Sequence, residues 1–428
     1  MWSSQFKHWA RSKSRTSSQR RLLNRRVQYQ VEALEKRMML AHGVLDFHAP
    51  VEIALPERPD SVAVADFNLD GHLDIASAVG RTGVSVAIGN SDGTFSEPEF
   101  FDVTPLLESR YLMSGDFNHD GKPDLVVSHF GDNTVSVILN ETTEGGDLAF
   151  LRLPKFFMGE ESAFVSVGDF DGDGNLDLAT ANIAAAPAQS VGIALGKGDG
   201  TFGEVSFVAA GTNPNSLAVG DLNGDEILDL AITYSSNRPF PSANSVGVLI
   251  GNGDSTFRTV KFFDVGETPS SVVLSDFDRD GDLDIAVSNF NSHDVSILLN
   301  YGSGEFDTKG KGSYDVGLNP ISLVAADFNG DGNLDIALAS FGTNSVSVLL
   351  GNGNGTFRPA HRQPVIFDLT GAPDIKTIGI GDFDEDDRTD LAVPVVYDGG
   401  TGAVDVFLHE TDDRGQRRGA GHGCIHLA

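Results

Sequence analysis

The 428-residue sequence predicts an all-β fold, a ring of seven four-stranded antiparallel blades closed by a strand from near the N-terminus. Three observations carry this: an acidic nine-residue loop that recurs seven times, short apolar runs of period two on both sides of each loop, and no competing helical period. The loops read DFNLDGHLD (66–74), DFNHDGKPD (116–124), DFDGDGNLD (169–177), DLNGDEILD (221–229), DFDRDGDLD (276–284), DFNGDGNLD (327–335) and DFDEDDRTD (382–390). Their start-to-start intervals are 50, 53, 52, 55, 51 and 55 residues, too regular for chance composition.

Each unit builds in the same order. An alternating run such as Val62-Ala63-Val64-Ala65 precedes the loop and supplies a first strand. An apolar stretch such as Leu334-Asp335-Ile336-Ala337 follows it as a second. A third run carries apolar residues two apart, as in Val84/Val86/Ile88 and Val295/Ile297/Leu299. Period two over short runs bounded by Gly, Asn and Asp is the signature of a strand. In most units a Gly-rich turn ending in Phe comes next, as in GNGNGTF (351–357), and leads to a weaker fourth strand. One such sheet leaves its faces bare, and radial stacking into a β-propeller covers them.

Spacing also predicts how the ring closes. The turn Phe lies 21 residues before the next loop at Phe95→Asp116, 19 at Phe202→Asp221, 19 at Phe257→Asp276 and 21 at Phe306→Asp327. Phe47 lies 19 residues before Asp66, in the same register, whereas the last unit ends after its third strand at Leu408. Residues 47–55 are therefore expected to supply the outer strand of the seventh blade. The alternative is a frayed leader beside an incomplete final blade.

Charge divides the chain. Residues 1–45 hold ten Lys/Arg against Glu32 and Glu35, a basic leader ahead of an acidic body. The expected organisation is a leader (1–45), the propeller (46–410) and a disordered tail (411–428). Overall, 30 Lys+Arg against 61 Asp+Glu give −31, which argues against nucleic acid as a partner. The lone Cys424 excludes an intramolecular disulfide, so rigidity must come from packing or metal. No apolar run reaches the length of a membrane-spanning helix.

The loops read as metal sites. Side-chain oxygens recur at position 1 (Asp66, Asp116, Asp169, Asp221, Asp276, Asp327, Asp382) and position 3 (Asn68, Asn118, Asp171, Asn223, Asp278, Asn329, Asp384). They recur again at position 5 (Asp70, Asp120, Asp173, Asp225, Asp280, Asp331, Asp386) and position 9 (Asp74, Asp124, Asp177, Asp229, Asp284, Asp335, Asp390). Calcium is a hard cation that takes six to eight oxygens, with a backbone carbonyl at position 7 and Gly at position 6 for the sharp turn. Asp/Asn/Gly loops are also good turn formers, but turn propensity does not explain carboxylates converging on one point. Position 12 is never the Glu of an EF-hand, and the flanks are strands. Gly71, Gly121, Gly174, Gly281 and Gly332 occupy position 6, whereas Glu226 and Asp387 replace it in two loops. The expectation is five to seven Ca2+ ions with a structural role, each adding roughly 0.4–1.4 kcal/mol at millimolar calcium.

The loop form D-x-[DN]-x-D-G-x-x-D, preceded by NPISLVAADF (319–328) and followed by VSVLLGNGNGTF (346–357), resembles FG-GAP repeats, also known as VCBS-type repeats. Such repeats form the seven-bladed propeller of integrin α-subunit heads and occur in many bacterial secreted proteins. The resemblance covers roughly residues 47–410 and implies this fold and calcium at the loop positions named above. A weaker similarity lies in 25–43, where Leu34, Glu35, Arg37 and Leu40 match the L-E-x-R-x-x-L-type segment of large secreted bacterial proteins. It implies an extracellular or cell-surface setting, although no ordinary signal-peptide apolar region is visible.

No G-x-S-x-G, H-E-x-x-H or Walker-type motif is present, so the chain is expected not to be an enzyme. The expected function is a binding or adhesion module for protein or glycan, its ligand on the face opposite the calcium loops. Long connections at 184–189 and 234–244, the latter with Arg238, Pro239 and Phe240, fall on that face, as do His129, Asn289 and His293. A lyase-like, polysaccharide-acting enzyme and a ligand-free spacer are the alternatives.

Overall fold

The computed structural model describes residues 45, 47–80, 83–102, 109–144, 146–183, 189–234, 244–307, 313–359, 367–368, 377–397 and 401–409. The expected leader, save Leu45, and the expected tail with Cys424 lie outside these residues, as do 184–188 and 235–243. Among the described residues every named element is a strand.

The strands form seven antiparallel sheets, each with its first three strands in chain order and a fourth on the outside. Blade one, for example, runs Pro59–Ala65, Asp74–Val79, Gly83–Ala87 and Glu99–Asp102. In blades two, five and six the outer position is shared by two short strands, such as Phe150–Arg152 and Phe156–Phe157. In six blades the first strand carries a bulge near its start, as between Pro59 and Ser61 or Pro269 and Ser271. A bulge sharpens the local twist.

Closure follows the expectation from spacing. Val51–Leu55 pairs antiparallel with Gly402–Phe407 in blade seven, in the register Val51↔Val406 through Leu55↔Gly402. Phe47 bridges to His409 beyond that strand, just as Phe95 bridges to Gly89 in blade one.

The core is distributed as seven apolar clusters, one at each seam between neighbouring blades. The seam between blades seven and one, built on Ile53, Ile75, Phe383, Val404 and Val406, completes the circle. Leu45 is buried in the seam between blades six and seven. Second strands are buried along their whole length because a blade lies against each of their faces. Small residues on strands such as Asp74–Val79 (DIASAV) let the neighbour approach. First strands of blades one to six, with Thr377 and Ile378 just before that of blade seven, line a central channel of about 460 Å³, with Tyr111, Phe164, Asn215, Ser270 and Ile321 on its wall.

The residue at loop position 2 fixes each loop to its seam. Phe67, Phe117, Phe170, Leu222, Phe277, Phe328 and Phe383 are all buried. Four of them meet the turn Phe of the next blade edge to face: Phe117–Phe202, Phe170–Phe257, Phe277–Phe357 and Phe383–Phe95, with centroids 5.4–6.1 Å apart. Such pairs contribute roughly 0.5–1.5 kcal/mol beyond their buried area.

Candidate metal centres

Each acidic loop joins the first strand of a blade to its second, and its shape follows from backbone amides converging on carboxylates. At position 1, one aspartate oxygen accepts the amide of position 5 at 3.0–3.2 Å in every loop. The other accepts the amide of position 6 at 2.6–3.0 Å. At position 5, Oδ1 accepts the amide of position 7 at 2.8–3.1 Å.

Position 9 does the most structural work. Each of these aspartates is fully buried. Oδ2 accepts the amide of position 2 at 2.7–3.1 Å, tying the loop's two ends together. Oδ1 accepts an amide at the end of the third strand at 2.7–2.8 Å, tying the loop to the blade. Burial, only partly opposed by these amides, pushes Asp74, Asp124, Asp177 and Asp229 up to about 6. The same cause pushes Asp284, Asp335 and Asp390 up to about 7. Most of these oxygens retain a lone pair beyond the one the amide uses, whereas Asp74 Oδ2 accepts a second amide, that of Asn68, at 3.2 Å.

The turn needs two left-handed residues, not one. Position 6 has φ between 63° and 96° in all seven loops, and Glu226 (63°) and Asp387 (67°) adopt it alongside the glycines. Position 4 is left-handed as well, at Leu69, His119, Gly172, Gly224, Arg279, Gly330 and Glu385, with φ of 57–77°. The amide–carboxylate bonds on either side hold non-glycine residues in a conformation they otherwise disfavour.

Carboxylates converge in three loops. Ligand atoms of Asp169, Asp171 and Asp177 lie within 4.8 Å of one another, as do those of Asp276, Asp278 and Asp284 and those of Asp382, Asp384 and Asp390. These are positions 1, 3 and 9; the position-5 aspartates stand outside the groups. The other four loops have Asn at position 3. In blade seven, Asp384 Oδ1 and Asp386 Oδ2 are buried with no hydrogen-bond partner. Burial first, then neighbouring carboxylates, raises the pKa of both groups. A buried carboxylate oxygen without a donor is costly, and a hard divalent cation supplies what it lacks. The residues present fit such an ion.

Neighbouring blades brace the loops. Gly200, Ser255, Gly304 and Gly355, in the turns of blades three to six, donate backbone N–H to the position-2 carbonyls of Phe117, Phe170, Leu222 and Phe277, one blade earlier, at 2.9–3.0 Å. Asn140 Nδ2 donates to the Phe67 carbonyl at 2.9 Å. Across the closing seam His72 Nδ1 meets Glu385 Oε1 at 2.5 Å, and His119 Nε2 meets Asn175 Oδ1 at 2.8 Å between blades two and three.

Several residues expected on the opposite face are buried or half-buried in hydrogen bonds. His129 is fully buried against Ser136 Oγ at 2.8 Å, and burial lowers it to about 4. Asn289 is buried and donates to Asp294 Oδ1 at 2.8 Å and to Ser296 Oγ at 2.9 Å. His293 Nδ1 accepts the amide of Asn319, at the start of the next blade, at 3.0 Å. Tyr234 is buried, its hydroxyl donating to the Ala210 carbonyl. His129 and Asn289 bond within their own blades, whereas His293 reaches the next one, a distinction that sequence position alone does not reveal.

The FG-GAP-like repeat family matches residues 66–127, 116–180, 169–232, 276–338 and 327–393, and the chain belongs to that family. No curated protein matches the chain. Among solved structures it is similar in fold to BBS1N, crystallised in complex with ARL6DN. In the mercury-soaked crystal the TM-score is 0.57 at 13% identity, over 87% of this chain and 98% of that one. In the lead-soaked crystal it is 0.53 at 14% identity, over the same shares. A functionally unknown protein from Desulfotomaculum acetoxidans DSM 771 gives a TM-score of 0.50 at 13% identity, over 79% of this chain and 92% of that one. At such identities the likeness concerns the fold alone.

Proposed function

We propose that this FG-GAP propeller is an extracellular or cell-surface binding module, stiffened by calcium on one face and recognising protein or glycan on the other. Calcium is supported by the carboxylate groups at positions 1, 3 and 9 and by the partnerless buried oxygens of Asp384 and Asp386. The Asn68, Asn118, Asn223 and Asn329 loops supply the same positions with one neutral oxygen. An extracellular setting agrees with millimolar calcium there. Among the described residues, no helix is long and apolar enough to cross a membrane.

One observation carries the binding reading. Connections between second and third strands range from three residues (80–82) to ten (235–244), whereas every acidic loop spans eight residues between its strands, as 66–73 does. A fixed frame carrying connections of variable length is the usual design of a recognition surface. The test replaces 235–243 with the four-residue connection of blade six and screens both proteins on glycan and extracellular-protein arrays in calcium. A ligand lost with the connection supports the reading. Equal binding by both, or none by either, contradicts it, and turnover of an acidic polysaccharide favours a lyase-like enzyme instead.

A further inference from the structure

The seven loops are not equivalent as ligands. Positions 1, 5 and 9 are Asp throughout, so the residue at position 3 sets the charge. With Asp171, Asp278 and Asp384, blades three, five and seven offer four carboxylates each. With Asn68, Asn118, Asn223 and Asn329, blades one, two, four and six offer three carboxylates and a neutral amide oxygen.

Repulsion among carboxylates exists before and after an ion arrives, so it largely cancels from the binding equilibrium. Attraction between the fourth carboxylate and a doubly charged ion appears only on binding. At a contact of roughly 2.4 Å it exceeds the attraction to an amide oxygen. Local bonding points the same way between blades one and seven only; in blade three Asn175 Nδ2 donates to Asp173 Oδ2 at 2.8 Å, so ligand charge and not local bonding divides the classes. In blade one, Asn68 Nδ2 donates to Asp70 Oδ2 at 2.8 Å, so the loop partly satisfies its own carboxylate. In blade seven no amide plays that part, and Asp384 Oδ1 and Asp386 Oδ2 stay without a donor.

We propose that the propeller takes up calcium in two classes, three tighter sites on blades three, five and seven and four weaker sites on blades one, two, four and six. The proposal rests on the calcium reading above and divides its sites. Blade seven is the blade built from both ends of the ring, so the closing sheet belongs to the class that loads first. At calcium levels between the two affinities the ring carries three ions, and its closing seam is already braced.

The test is a calcium titration of the chelator-stripped full chain by calorimetry, with bound ions counted by equilibrium dialysis. The expected result is three ions bound roughly tenfold or more tightly than the next four, with ligand charge tuning the affinity. D171N should shift the count to two and five, and N118D to four and three. Circular dichroism should show both variants folded, because Asp and Asn have nearly the same shape. Seven indistinguishable sites, or counts unmoved by both substitutions, overturn the two-class proposal and leave the calcium reading standing. Absence of calcium binding by the folded chain overturns both.

Discussion

On one face of the ring all seven connections have the same length and the same set of amide–carboxylate bonds; on the other, connections vary more than threefold in length and share only scattered bonds between blades. The difference lies in what closes each turn. An acidic loop is closed by five backbone amides landing on three aspartates, so one residue added or removed would misplace several bonds together. A connection on the opposite face is held by its flanking strands and by single contacts, such as Asn133 Oδ1 accepting the amide of Glu161 at 2.7 Å. Lengthening such a connection carries a small entropic cost. One face is thereby fixed and the other free to diversify, as the proposed calcium-stiffened binding module requires.

Removing a position-9 carboxylate should have the largest effect. Asp284→Ala strands the buried amides of Phe277 and Asn300 and should cost about 2–5 kcal/mol. Urea unfolding should show most of that loss in chelator too, since the amide bonds do not depend on the ion. A loss seen only in calcium would make position 9 a ligand and nothing more.

Next comes pH. The folded-state pKa of the position-9 aspartates lies at about 6 to 7, above the ordinary 3.8. Raised carboxylates favour the fold while protonated. That contribution is complete below about 4 and is lost as pH rises through 6 to 7. In chelator the melting temperature should fall between pH 5 and pH 8. On the calcium proposal the ionised aspartates become ligands, so the gap between the two melting curves should widen over the same interval. A gap that narrows as pH rises would count against carboxylate ligation.

Smaller effects sharpen the picture. Glu226 holds a φ of 63° where five loops have Gly, so Glu226→Gly should stabilise blade four by up to about 1 kcal/mol. Exchanging residues 235–243 for a short turn should change unfolding free energy by less than about 0.5 kcal/mol. A large loss there would mean that the variable face is structural after all.

Much of this was legible in the sequence because the signals repeat. Period-two runs and an acidic loop every fifty-odd residues locate the blades, and the Phe47 spacing places the closing strand. What escaped sequence reading depends on bonds between residues far apart in the chain. Left-handed backbone at position 4 leaves no mark when the residue is Leu69, His119, Arg279 or Glu385, because the surrounding amide bonds, not glycine, enforce it. The double duty of position 9 is hidden too, since its second amide partner lies 15 to 22 residues away. His293 reads as a surface loop residue until the first strand of blade six is placed beside it. Asp387 in place of Gly suggests a weakened seventh loop, yet that loop holds one of the three carboxylate groups and the partnerless oxygens.

Calorimetric melting of the full chain at pH 7.5, in millimolar calcium and in excess chelator, bears most directly on the claim that divalent ions hold the acidic face. Filled sites worth roughly 0.4–1.4 kcal/mol each should together raise the transition by several kcal/mol in calcium. Superimposable transitions in the two buffers would mean that the loops stand on their amide bonds alone.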